Sequence, residues 1–209
     1  MEKLNKQDLT NLFQDVRSSY RLLALYQKRL LDLVNYIGNQ YSLDFERGGP
    51  QFCKAGGNGK YFNLDYSGWN YLVLYFYSFK FSPIRIGEDV YRFRVIHQAD
   101  TGFYDNGDMK LSKLAIDNFN EVDESETRLF LILCKNDDSF PLKDFLPPHL
   151  SKDSNGILKS ENGDWVGVSY DMMEFINKEA TDKVLRDFNE VIKSTFNIEI
   201  LKAKEDVVS

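Results

Sequence analysis

Trp69-Asn70-Tyr71-Leu72-Val73-Leu74-Tyr75-Phe76-Tyr77-Ser78-Phe79-Lys80-Phe81 is an uninterrupted run of aromatic and aliphatic side chains without Gly or Pro. Such a run reads as a β-strand. Successive strand residues point to opposite faces, so Tyr71, Val73, Tyr75, Tyr77, Phe79 and Phe81 share one side. Leu72, Leu74, Phe76, Ser78 and Lys80 share the other. Both faces are apolar over the first half, which predicts an interior strand covered on both sides. The second face turns polar at Ser78 and Lys80, and its cover is expected to stop there.

Pro83 and Gly87 then punctuate a turn, and Val90 to Ala99 reads as the antiparallel partner. Tyr91, Phe93, Val95 and His97 lie on one face, and Val90, Arg92, Arg94, Ile96 and Gln98 on the other. Matching apolar face to apolar face sets Arg92 and Arg94 beside Lys80 and Ser78. A slip of one residue would drive the arginines among Tyr77 and Phe79, so burial selects the first pairing. Arg128 to Lys135 is apolar on both faces and reads as a second central strand. Ile157 to Val168 reads as a hairpin with Asn162-Gly163 at its tip, and Asn106-Gly107 gives a second hairpin signal.

Helical periodicity brackets these strands. From about Gln7 to Ile37, Leu9, Leu12, Phe13, Val16, Tyr20, Leu23, Leu30, Val34 and Ile37 recur mostly at steps of three, four or seven. Gly38 is the expected stop, and Ser18-Ser19 marks a candidate break. Such a helix spans roughly 45 Å, more than one small sheet covers. Its second half, widened by Leu22, Leu25 and Leu31, is expected on the sheet and its first half at an interface. A C-terminal helix is expected from Glu179 to Phe196, capped by Asn177 or Thr181, with Val184, Leu185, Phe188, Val191, Ile192 and Phe196 on one stripe. Leu43 to Glu46 is a short strand candidate, followed by a Gly-rich passage read as loop: Gly48-Gly49-Pro50 and Gly56-Gly57-Asn58-Gly59.

The fold class predicted is α+β: a central, mainly antiparallel sheet with a long N-terminal helix and a C-terminal helix packed on it. The chain is read as a single domain, 1–209. Residues 1–41 form the long helix, 43–168 the sheet-rich core, 169–201 a C-terminal helical segment and 202–209 a frayed tail.

Composition narrows the function. The 209 residues are 43% apolar and 28% charged, as in globular proteins, with a net charge of −6. An acidic chain argues against general nucleic-acid binding. The N-terminus has no apolar core of a signal peptide, and Tyr71 to Tyr77 is too short to span a bilayer, so a cytoplasmic protein without membrane association is expected. Of the two cysteines, Cys53 and Cys134, the second lies in an apolar run and reads as a buried thiol.

No metal and no cofactor is expected. The two histidines, His97 and His149, belong to no His-Glu-x-x-His or Cys-x-x-Cys pattern, and His97 reads as a core residue. Asp100, Asp105 and Asp108 gather near a turn but lack the ordered oxygen ligands and later Glu of a calcium loop. They read as turn builders. A restriction-type nuclease wants an acidic-x-Lys triplet, and the nearest candidate, Ser78-Phe79-Lys80, has serine in the acidic place. The Gly-rich passage lacks the Lys-Ser/Thr ending of a phosphate loop.

The remaining chemistry is a basic cluster, Lys80, Arg92 and Arg94 with Arg128. It suits a carboxylate or phosphate, or else an internal set of ion pairs with Glu88, Asp89, Glu124 and Glu126. No catalytic residues are assigned. The sequence reads as a non-enzymatic cytoplasmic interaction protein of inhibitor, immunity or accessory type, which binds another macromolecule. Its partner would be a protein, or a second copy, met through the N-terminal helix. The alternative is an enzyme or sensor that binds an anionic, nucleotide-like small ligand at Lys80, Arg92, Arg94 and Arg128.

Overall fold

The computed structural model describes residues 5–50, 75–102, 119–136 and 156–201. Expectations for Cys53, the Gly56 to Gly59 loop, Trp69 to Leu74, Asp105, Asp108, the Asn106-Gly107 turn, His149 and the tail from 202 fall outside these residues. The chain divides into two compact units, Met1–Tyr36 and Ile37–Ser209.

The first unit is one helix. α1 spans Lys6–Gln40, so its last residues, from Ile37, belong to the second unit. Asn5 starts it: its side-chain Oδ1 accepts from the amides of Gln7 at 2.8 Å and Asp8 at 3.0 Å. The Asp8 carboxylate in turn accepts from the Asn5 amide at 3.3 Å. This reciprocal cap satisfies donors that a helix start leaves open. The helix runs through Ser18 and Ser19 without the expected break. Serine is a mediocre helix former, but two of them do not outweigh the strong formers around them.

Gly38 does not stop the helix; it lies inside it. The left-handed residue is Ser42, at φ 55°. The Leu43 amide donates to the Gly38 carbonyl at 2.9 Å and the Ser42 amide to that of Asn39 at 3.1 Å. Those two bonds make a Schellman end. Gly38 is needed for space, because a Cβ there would lie 2.4 Å from the Phe81 ring.

Among the described residues the second unit is built on a seven-stranded sheet whose pairings are antiparallel. Its strands are β1 (Phe45–Pro50), β2 (Phe76–Phe81), β3 (Ile84–Ile86), β4 (Asp89–Gln98), β5 (Arg128–Lys135), β6 (Ile157–Lys159) and β7 (Trp165–Asp171). The order across the sheet is β1-β2-β4-β5-β7-β6, with β3 paired to β4. The strand of the organising run therefore has neighbours on both edges, and β5 keeps the bounds read from sequence. The β6–β7 hairpin turns at Gly163, which sits at φ 71°.

Two expectations change here. Gly48-Gly49-Pro50 is strand, not loop: Gly48 pairs with Phe79, and a Cβ on it would lie 2.7 Å from the Tyr77 ring. Glycine is present for that close approach. Tyr75 precedes β2, so the strand alternation does not reach it. It packs with Phe76, Ile96, Phe130, Ile132, Cys134 and Leu158 on the second face, against Phe119 and Trp165.

α2 (Lys178–Phe196) covers the first face. Asn177, not Thr181, caps it, accepting from the Ala180 amide at 2.8 Å. Its stripe buries Val184, Leu185, Phe188 and Ile192. Phe188 stands 6.2 Å from Phe93, and Phe196 5.6 Å from Tyr91, between ring centres. The chain leaving α1 closes over the same patch. Tyr41 lies 4.9 Å from Phe93 and donates its hydroxyl to the Leu185 carbonyl at 3.3 Å. The structure is thus an α+β fold with an antiparallel sheet, a long N-terminal helix and a C-terminal helix.

Candidate functional site

Register decides which basic residues meet. Lys80 on β2 lies directly opposite Arg94 on β4, as the face-matching argument requires, while Ser78 faces Ile96 rather than an arginine. Arg92, two residues from Arg94 on the same face, lies opposite Cys134. Arg128 does not join them. It pairs with Gln98, four residues along β4 from Arg94, roughly 13 Å away. Its guanidinium is held by Glu126 at 2.8 Å. Asp89 is taken by Lys135 at 2.9 Å and by the Asn136 amide at 2.8 Å, which together hold its carboxyl below the usual carboxylate range.

Sequence reading missed Arg47, which pairs with Lys80 from the β1 side. Arg47, Lys80 and Arg94 therefore form one row across three strands, graded from exposed through half-buried to buried. Only the strand pairing reveals this, because β1 was not expected to reach Arg47. Cover over this face extends further than expected: Ser78 is 3% exposed and Arg94 6%. Among the described residues the buried Ser78 hydroxyl finds no hydrogen-bond partner.

Elsewhere, His97 is fully buried between Tyr77 and Leu129 in the ladder. Asp100 builds a turn by accepting from the Gly102 amide at 2.7 Å. No His, Cys, Asp and Glu grouping suited to a metal occurs among the described residues. Nor is any described helix long and apolar enough to cross a membrane.

The larger candidate surface is on the first unit. Every residue from Asn5 to Leu25 is exposed. This includes Leu9, Leu12, Phe13 at 55%, Val16 at 43%, Tyr20 and Leu23. Leu9, Val16, Leu23, Leu30 and Ile37 repeat at every seventh residue, the period of helices that wrap on other helices. The first three are exposed; Leu30 and Ile37 are buried. A shallow groove lined by Ala24, Gln27, Lys28, Leu31 and Asp32 continues along the helix. Burial of an apolar side chain of this size is worth roughly 1.5–3 kcal/mol.

A family model described as PM0109 matches residues 6–197, from the first residue of α1 to the left-handed residue that ends α2. No curated protein and no solved structure matches the chain.

Proposed function

The chain belongs to the PM0109 family, and we propose that it is a non-enzymatic interaction protein of the cytoplasm that acts by binding another macromolecule. One observation carries this reading: the apolar stripe of α1 from Leu9 to Leu23, exposed over its whole length. A sheet-rich unit with its own core supplies the folded body, and α1 supplies the contact. Cross-linking in the native cell tests the reading through Lys6 and Lys28, which sit beside the stripe. Cross-links from these lysines to a second polypeptide are expected, and Phe13→Glu combined with Val16→Glu should abolish them. Cross-links that persist in the double variant would reject the stripe as the contact.

The row Arg47, Lys80 and Arg94, with the buried Ser78 hydroxyl beside it, supports a second reading. There the chain is an enzyme or sensor holding an anionic, nucleotide-like ligand. A phosphate or nucleotide panel that raises the melting temperature of the parent, but not of the Arg92→Gln, Arg94→Gln variant, would favour it.

A further inference from the structure

We propose that the second face of the sheet carries a seat for a phosphate group, with Gly49 as its floor, Ser78 as its neutral donor and Arg47, Lys80 and Arg94 as its positive rim. This rests on the reading of that row as an anion site and names the class of anion.

The two glycines of β1 are adjacent and unlike. Gly48 turns to the first face, where a Cβ would lie 2.7 Å from the Tyr77 ring. Gly49 turns to the second, where a Cβ would meet nothing within 4 Å. Close approach explains Gly48 and does not explain Gly49. Gly49 lies opposite Ser78. Opposed Cβ positions in an antiparallel pair stand about 5 Å apart, so the room over Gly49 begins one side chain away from the Ser78 hydroxyl. That hydroxyl is buried, and among the described residues it finds no partner. An unmade hydrogen bond in such a place costs stability, and a ligand oxygen over Gly49 would supply it.

The charges centre on the same residue. Arg47 on β1 and Arg94 on β4 are the diagonal neighbours of Ser78 on its two sides, about 7–8 Å away. Lys80 follows Ser78 on the same face of β2, roughly 7 Å along the strand. One hydroxyl and three cations around a single point outnumber the two oxygens of a carboxylate. The three acceptor oxygens and double charge of a phosphate group suit them better. The row is exposed at Arg47 and buried at Arg94, so the seat opens toward the β1 edge.

Thermal melting and calorimetric titration of the full chain test this, with inorganic phosphate and adenosine monophosphate as probes and acetate as the carboxylate control. Either phosphate compound should raise the melting temperature, and acetate should not. The tighter of the two tells a free ion from an ester. Gly49→Val should fold, because nothing stands in its way and a β-branched residue suits a strand, and it should lose the response. Ser78→Ala should weaken binding about tenfold and, without ligand, melt no lower than the parent. A clearly lower melting temperature for ligand-free Ser78→Ala would show that the fold itself uses the hydroxyl, and would overturn the seat. So would a phosphate response that survives Gly49→Val. If that surviving response is lost in the Arg92→Gln, Arg94→Gln variant, the anion reading stands with its site elsewhere on the row. A parent indifferent to both phosphate compounds overturns the seat, and the anion reading falls with it unless another nucleotide of the panel responds.

Discussion

α1 and α2 carry the same kind of apolar stripe and meet opposite fates. α2 lays Val184, Leu185, Phe188 and Ile192 on the sheet, and all four are buried. α1 repeats the pattern over Leu9, Phe13, Val16 and Leu23, and all four are exposed. Periodicity reports that a helix face wants cover; it does not report what provides it. A stripe satisfied within its own unit supports stability, and one left open supports association.

The sharpest way to break that comparison is to place a charge in each stripe. Phe188→Asp, or Leu133→Asp at the centre of β5, should abolish soluble folding, because each buries an uncompensated charge. Phe13→Asp should leave the sheet unit folded and cooperative. Soluble, cooperatively melting Phe188→Asp protein would contradict the assignment of α2 to the core. Truncation gives a graded version: Phe188→Ala should cost about 3–5 kcal/mol in denaturant unfolding. Phe13→Ala, measured on dilute protein, should stay within about 0.5 kcal/mol.

Much of this was legible in the sequence, and the failures have physical causes. β5 was read to its exact ends because a strand buried on both faces is apolar at every position. The facing of β2 and β4 followed from parity, since the wrong choice buries arginines among aromatic rings. Gly38 and Gly48 were misread for one reason: glycine marks either a left-handed turn or a close approach, and only tertiary packing distinguishes them. Ser42 made the turn, while the Phe81 and Tyr77 rings made the approaches. Arg128 was grouped with Arg94 by shared face, but position along a ladder is set by register, which placed it with Glu126 instead. Arg47 was invisible because a β-strand containing Gly-Gly-Pro resembles a loop.

Alkaline pH sharpens the contrast at intermediate scale. Burial raises the Tyr41 and Tyr170 hydroxyls in the sheet unit well above their ordinary value of 10.0, and raises Tyr26 on α1 to about 12. In the unfolded chain these phenols ionise near 10; in the fold they remain neutral. Their contribution is therefore fully present below pH 10 and is lost as pH rises beyond it. Melting temperature should fall above pH 10, and less steeply for Tyr41→Phe. An equal slope for that variant would exclude Tyr41 as a cause.

The caps give the smallest effects. Asn177→Ala should destabilise the sheet unit by about 1 kcal/mol, through loss of the bond to Ala180. Asn5→Ala should reduce helical signal and association without shifting the melting of the sheet unit. A shift there would tie the start of α1 to the core.

Hydrogen exchange across Lys6 to Leu25 tests the central claim most directly. In parent protein with its partner bound these amides should be protected, because a covered helix holds its hydrogen bonds more firmly than an exposed one. Phe13→Glu with Val16→Glu should remove that protection and leave β5 and α2 unchanged. Protection from Lys6 to Leu25 that survives the double substitution would show that the stripe is not what holds the helix, and would contradict the account.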